Sequence, residues 1–246
     1  IMNRRTFSKL TLLGAVAASL PLHATTSFFQ SISEDELLGK GAPLLTKTSA
    51  YRLRPEAAVA YEEMKSAALK EGIKFQVVSS YRDYNHQNRI WERKYKSFRE
   101  SGLNPTTAIE KIIEYSTIPG TSRHHWGTDI DIVDATPKVS RGLLVPSKFH
   151  GNGPFRKFKE WMDKNANTYG FYLVYTDDQN RKGFNYEPWH YSFKSLSLDY
   201  LNKYQELDIK AKLESAKLLG SENFTESFID RYLQDNVMDI NPSLRS

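Results

Sequence analysis

Two short segments hold most of the residues able to do chemistry. The first is Ser122-Arg123-His124-His125-Trp126-Gly127-Thr128-Asp129-Ile130-Asp131, and the second is Glu187-Pro188-Trp189-His190. The chain has no cysteine, so disulfides and thiolate nucleophiles are excluded, and a metal site must be built from His, Asp or Glu. Imidazole and carboxylate both suit zinc, and a catalytic zinc keeps three protein ligands and one position for water. His124 in a loop and an aspartate further on, inside a strand, can face one cavity. His190 on a neighbouring strand completes such a set. Asp129 and Asp131 alternate onto one strand face, so residue pattern alone leaves both open as the carboxylate. Glu187 lies three residues before His190, and in an unbroken strand the two would point to opposite faces. Pro188 fixes φ and donates no hydrogen bond, so a break there would let both reach one site. Ser122 lacks a base and orienter of its own, which argues against a serine nucleophile.

The surrounding pattern supplies elements to position these groups. Arg54-Pro55-Glu56 opens a helix, with Ala57, Ala60, Tyr61, Met64 and Ala68 on one face and Gly72 closing it. Phe75–Ser79 reads as a short strand, and a polar, aromatic helix follows over about Tyr84–Phe98. Its basic stretch from Asn88 to Arg99 reads as a solvated face. Asn104-Pro105 starts a further helix. Thr128–Val133 is a buried strand, Gly153-Pro154 precedes a helix carrying Phe155, Phe158 and Met162, and Phe171–Tyr175 and Glu187–Phe193 are strands. The order argues for a single α+β domain with a small antiparallel sheet flanked by helices. Its expected span is 51–203, after a loosely ordered Ser/Thr-rich lead-in at 25–50 and before a charged helical extension at 204–246.

Residues 1–24 read as a signal peptide. Arg4, Arg5 and Lys9 precede an apolar run from Leu10 to Leu22, which is too short for a comfortable membrane span. The Arg-Arg-x-Phe-x-Lys string resembles a twin-arginine export signal. Without this leader the charge balance is 31 basic to 29 acidic residues. No basic block remains to suggest a nucleic-acid partner, and no later stretch is apolar enough to cross a membrane. The expected location is outside the cytoplasm, periplasmic or extracellular.

The pattern Ser-x-His-x6-Asp followed by Glu-x-x-His, with Trp before the last His, resembles the zinc D-Ala-D-Ala carboxypeptidases and dipeptidases. That family includes vancomycin-resistance-type D,D-carboxypeptidases and phage endopeptidases, and it shares its fold with the hedgehog signalling domain. The resemblance covers roughly Tyr51–Phe193. It implies that His124, Asp131 and His190 bind Zn²⁺, that Glu187 is the catalytic base, and that peptidoglycan stem peptides ending in D-Ala-D-Ala are the substrate. The family spacing from His124 favours Asp131 over Asp129, which is left to support a neighbouring ligand or to anchor a substrate amine. A third segment, Ser79-Ser80-Tyr81-Arg82-Asp83-Tyr84-Asn85-His86-Gln87, is similar to the family's Ser-Gly-Tyr-Arg-Ser stretch. Arg82 is thereby the candidate for the scissile carbonyl or substrate carboxylate, and a guanidinium suits either. Gln87 and Ser122 are candidates for substrate contacts. His125 reads as a neighbour of the site, His86 and His150 as ordinary polar residues, and Trp126 and Trp189 as packing walls. A D,D-dipeptidase, an endopeptidase and a non-catalytic zinc-bearing module are the alternatives.

Overall fold

A computed structural model of the protein describes residues 32–139 and 141–246. The leader at 1–24 and the first part of the lead-in lie outside the described residues. The elements in chain order are α1 (Glu34–Leu37), β1 (Thr46–Lys47), β2 (Arg52–Leu53), α2 (Pro55–Lys70), β3 (Phe75–Ser79), α3 (Tyr84–Glu100), α4 (Pro105–Ile113), β4 (Asp129–Asp134), α5 (Arg156–Asn165), β5 (Phe171–Leu173), β6 (His190–Phe193), α6 (Lys194–Gln205), α7 (Ile209–Glu214) and α8 (Glu226–Tyr232). Local chemistry sets the helix starts. Pro55 and Pro105 sit in first turns, Asp83 accepts from the His86 amide at 2.7 Å, and Asn104 accepts from Thr107 at 2.9 Å.

Four strands form one antiparallel sheet in the order β3-β4-β6-β5. This is the α+β architecture expected, with the sheet small and helices packed around it. Strand β4 is buried along its whole length. Ile130, Ile132 and Val133 join a core with Tyr61 and Met64 of α2 and Phe158 and Met162 of α5. The helical pattern of α2 and α5 thus has a physical outcome: their apolar stripes cover this sheet. A second core gathers Trp91 of α3, Ile109 and Ile112 of α4, Trp126, and Tyr200 and Tyr204 of α6.

The charged tail enters that second core. Leu213, Phe228, Ile229, Tyr232, Ile240 and Leu244 are all buried there. The Tyr232 hydroxyl accepts from the Ile118 amide at 3.0 Å and lies 2.7 Å from Thr121 Oγ1. Asn241 donates from its backbone to Val174 and from its side chain to Leu173, which occupies backbone groups along the outer edge of β5. Among the described residues no helix is long and apolar enough to cross a membrane.

One sequence expectation needs revision. The strand read as Glu187–Phe193 begins at His190, because Pro188-Trp189 form a turn in which the His190 amide donates to the Glu187 carbonyl at 3.1 Å. Proline has no N–H for a ladder, so pairing starts only beyond it.

Candidate active site

Strand register creates the centre of the site. Asp131 of β4 stands directly opposite His190 of β6, and Asp129 opposite Ser192. Facing residues on adjacent antiparallel strands have Cβ atoms only about 5 Å apart. His124 arrives from a single 3₁₀ turn, Arg123–Trp126, immediately before β4. Gly127 ends that turn at φ 73°, and a Cβ there would lie 2.7 Å from Leu45 Cδ2. Only glycine takes this reversal without strain. The turn is stitched to the end of β3, with the Arg82 amide donating to the His124 carbonyl at 3.1 Å and His124 Nδ1 2.9 Å from the Ser80 carbonyl oxygen.

These contacts leave His124 Nε2 and His190 Nδ1 aimed at Asp131. His124 Nε2 is 3.4 Å from Asp131 Oδ2, and His190 Nδ1 is 3.7 Å from Asp131 Oδ1. A ligand atom from each of the three residues lies within 4.8 Å of the others. Ligands about 2.1 Å from a tetrahedral zinc are separated by roughly 3.4 Å, so the two measured edges are already near that value. Asp131 Oδ1 is buried without a hydrogen-bond partner, an arrangement that costs free energy unless something positive fills the space. The donor set and the orphaned oxygen both fit zinc.

The ligand orientation is fixed from behind. His190 Nε2 is 2.9 Å from Asp129 Oδ2, and the same oxygen accepts from Arg123 Nε at 2.9 Å. Asp129 Oδ1 accepts from Thr128 Oγ1 at 2.8 Å and from Ser192 Oγ at 2.6 Å. Asp129 is therefore fully committed to protein donors and lies outside the His–Asp–His set, although it shares a strand face with Asp131. A carboxylate behind a ligating imidazole fixes its orientation and raises its basicity.

The electrostatics describe a site built to hold a cation. Burial alone would raise Asp129, but Arg123 and His190 hold it well below the usual carboxylate range. Burial would likewise lower His190, yet Asp129 and Glu187 hold it up at about 10. Burial and the neighbouring Arg82 bring His124 down to about 4, so its imidazole is neutral and able to coordinate. Asp129 and Glu187, hydrogen-bonded to the two ring nitrogens of His190, favour its protonated form in the metal-free site. Metal binding would displace that proton.

Glu187 and Arg82 complete the cluster. Glu187 Oε2 is 3.0 Å from His190 Nδ1. The Pro188 turn thus does what an unbroken strand could not, bringing Glu187 and His190 together. Burial pushes the Glu187 carboxyl above its ordinary value, against the pull of His190 and Arg82. Burial lowers the Arg82 guanidinium, while Asp131 and Glu187 act in the opposite direction. Arg82, Arg123, His124, Asp131, Glu187 and His190 line a cavity of about 500 Å³, together with Ser122, Lys94, Tyr175 and Trp189.

Gln87 is placed differently. It is 0% exposed and does not line the cavity; its Oε1 accepts from Arg82 Nη1 at 3.0 Å and its Nε2 donates to the Thr117 carbonyl at 2.8 Å. It positions Arg82. His125 is buried, with Nδ1 2.7 Å from the Arg82 carbonyl oxygen and Nε2 accepting from the Gly120 amide at 3.1 Å. His150 pairs with the Tyr186 hydroxyl. Trp126 packs on Tyr200 and Tyr204, and Trp189 on Phe149. Sequence reasoning missed Arg123, Ser192, Tyr175 and Lys94. Tyr175 stands edge-on to His190 at 5.1 Å. Ser192 and His190 have the same parity in β6, which would have paired Ser192 with Asp129 had the register been known.

The model of a known family, described as VanY, D-alanyl-D-alanine carboxypeptidase, matches residues 50–196. The chain belongs to that family. A bifunctional D-Ala-D-Ala dipeptidase and carboxypeptidase, VanXYC of Enterococcus gallinarum, is 31% identical over 146 residues, which cover 58% of this chain and 68% of that protein. A putative carboxypeptidase of Bacillus subtilis, YodJ, is 28% identical over 67% of this chain, and the match spans 55% of that relative. Among solved structures, VanYB in complex with D-alanine-D-alanine superposes with a TM-score of 0.53 at 23% identity, covering 72% of this chain and 92% of that one. A vancomycin-resistance D,D-pentapeptidase VanY in complex with Zn(II) gives 0.51 at 23% identity, covering 67% and 85%. These likenesses carry the fold. The tail beyond residue 196 lies outside the family match, although it packs into the core beside α3 and α4.

Proposed function

We propose that this VanY-family peptidase is a zinc D,D-carboxypeptidase that removes the terminal D-Ala from peptidoglycan stem peptides, with His124, Asp131 and His190 holding the ion. The observation that carries the reading is the convergence of these three side chains, distant in sequence, with Glu187 at 3.0 Å from His190 Nδ1. Zinc, when bound, supplies a Lewis acid that acidifies water and polarises a carbonyl. Glu187 takes the proton of the attacking water and delivers it to the leaving amine. Arg82, held by Gln87 and close enough to influence both His124 and Asp131, donates to the oxygen of the scissile carbonyl as negative charge develops there. Ser122, in the cavity wall, contributes to substrate contact. The family's cell-wall substrates and the leader-like residues 1–24 support export, by the twin-arginine route, to the periplasm or cell exterior.

The test uses zinc-loaded protein and a pentapeptide ending in D-Ala-D-Ala, with and without chelator, beside Glu187→Ala. Chelator-sensitive release of free D-Ala by the wild type, reduced about 10²–10⁴-fold in the variant, is the expected result. Release of a dipeptide or internal fragments would replace the reading with a dipeptidase or endopeptidase. Binding without cleavage by either protein would leave only a zinc-bearing module.

A further inference from the structure

The basic stretch of α3 reads in the sequence as a solvated face, but Ile90 and Lys94 form part of the cavity wall. The reason is helical spacing: Gln87, Ile90 and Lys94 fall on one face, and Gln87 is pinned inside by Arg82 and Thr117. Lys94 is thereby carried to the cavity, two turns beyond the residue that holds Arg82. Surface lysines such as Lys65, Lys111 and Lys203 each have a glutamate partner. Among the described residues, Lys94 has no carboxylate within ion-pair reach.

We propose that Lys94 receives the free C-terminal carboxylate of the substrate and so sets the preference of this site for chain ends. This inference rests on the D,D-carboxypeptidase reading above. In that reaction the leaving nitrogen takes its proton from Glu187, and the terminal carboxylate is joined to that nitrogen through a single Cα. The carboxylate must therefore lie on the Glu187 side of the scissile bond. Arg82 is held beside the metal-ligand cluster, its amide donating to the His124 carbonyl at 3.1 Å and its guanidinium to Gln87 Oε1 at 3.0 Å, which suits it to the carbonyl. Lys94 lines the same cavity as Glu187 without an ion-pair partner among the described residues, and where burial lowers its ammonium from the ordinary value Glu187 opposes this. A flexible, compact ammonium with three donors suits a carboxylate whose position varies during departure of the product. An unpaired cation on a partly buried wall also gains most from an anionic ligand.

The experiment compares two peptides identical except for their ends, one with a free D-Ala-D-Ala carboxylate and one amidated. Both kcat/KM and calorimetric affinity are measured with zinc-loaded wild type, Lys94→Met and Lys94→Arg. Wild type should favour the free acid by about 10- to 100-fold, the usual span for a charge-assisted hydrogen bond. Lys94→Met should bring the ratio near one by losing only on the acid, while Lys94→Arg keeps most of it. Arg82→Gln should depress turnover of both peptides. An unchanged acid-to-amide ratio in Lys94→Met overturns the assignment. Failure of wild type to release D-Ala from the free acid or D-alaninamide from the amide sinks the carboxypeptidase reading instead, and the affinity ratio then still decides Lys94: equal affinities overturn it.

Discussion

Asp129→Asn tests the support behind the metal site, because it removes one charge with almost no change of volume. Asp129 is 0% exposed and Arg123 is buried with it, their closest atoms 2.9 Å apart. Losing the anion leaves a buried guanidinium without its counter-charge, which costs on the order of 3–5 kcal/mol. Geometry adds to this. The carboxylate accepts at both oxygens, from Arg123 and beside His190 Nε2 at Oδ2, and from Thr128 and Ser192 at Oδ1. Asparagine has one acceptor oxygen, so its amide must meet donors on one side. The hydroxyls of Thr128 and Ser192 can rotate to accept, but Ser192 Oγ already accepts from Arg123 Nη2 at 2.7 Å. The expected outcome is a loss of about 3–5 kcal/mol in urea unfolding of the metal-free protein. Zinc affinity, read by competition with a chromophoric chelator, should weaken about 10- to 100-fold because His190 loses its orienting partner. Glu187→Gln is the control: it neutralises a buried carboxylate but leaves the Arg123–Asp129 pair intact, and should retain zinc within a few-fold. Wild-type zinc affinity in Asp129→Asn, or equal weakening in Glu187→Gln, would refute the argument.

Further outcomes follow from other contacts. Gln87→Leu removes the acceptor that holds Arg82 and should lower kcat/KM by about tenfold or more, with bound zinc unchanged by elemental analysis; loss of zinc would show a different role. Tyr232→Phe deletes the hydroxyl joining the tail to Ile118 and Thr121. It should cost about 1–3 kcal/mol in unfolding, and no loss would mean the tail does not pin that loop. His125 is held neutral by burial, its folded pKa brought from 6.5 down to about 3. Its contribution is complete above the unfolded pKa and is lost as pH falls from 6.5 towards 3, reaching about 3 kcal/mol at pH 4. Unfolding free energies at pH 7 and pH 4 should therefore differ more for wild type than for His125→Gln; equal differences would remove His125 from the account.

Residue chemistry and the family resemblance together delimited this site closely. With no cysteine in the chain, His and carboxylate were the only metal donors, and the resemblance of the Ser-x-His-x6-Asp and Glu-x-x-His pattern to the zinc D-Ala-D-Ala carboxypeptidases implied that His124, Asp131, Glu187 and His190 converge. Helices at Pro55 and Pro105, and the short strand at Phe75, were also legible, because proline, capping side chains and apolar periodicity act over one or two turns. Asp129 could not be separated from Asp131 by spacing within the strand, since both share a face. Register decided it: β6 places His190 opposite Asp131 and Ser192 opposite Asp129, and pairing between distant strands is set by their cores and turns, not by the strand's own residues. Lys94 read as surface charge for a similar reason. Its helix is rich in charge, and the packing of Trp91 and Tyr95 into the second core, with the buried anchor of Gln87 to Arg82 and Thr117, fixes which face meets the cavity. The tail's charges said helix, but its burial depended on partners in α3 and α4 more than a hundred residues away. Local sequence sets what each segment can form, while long-range packing selects which polar groups end inside together.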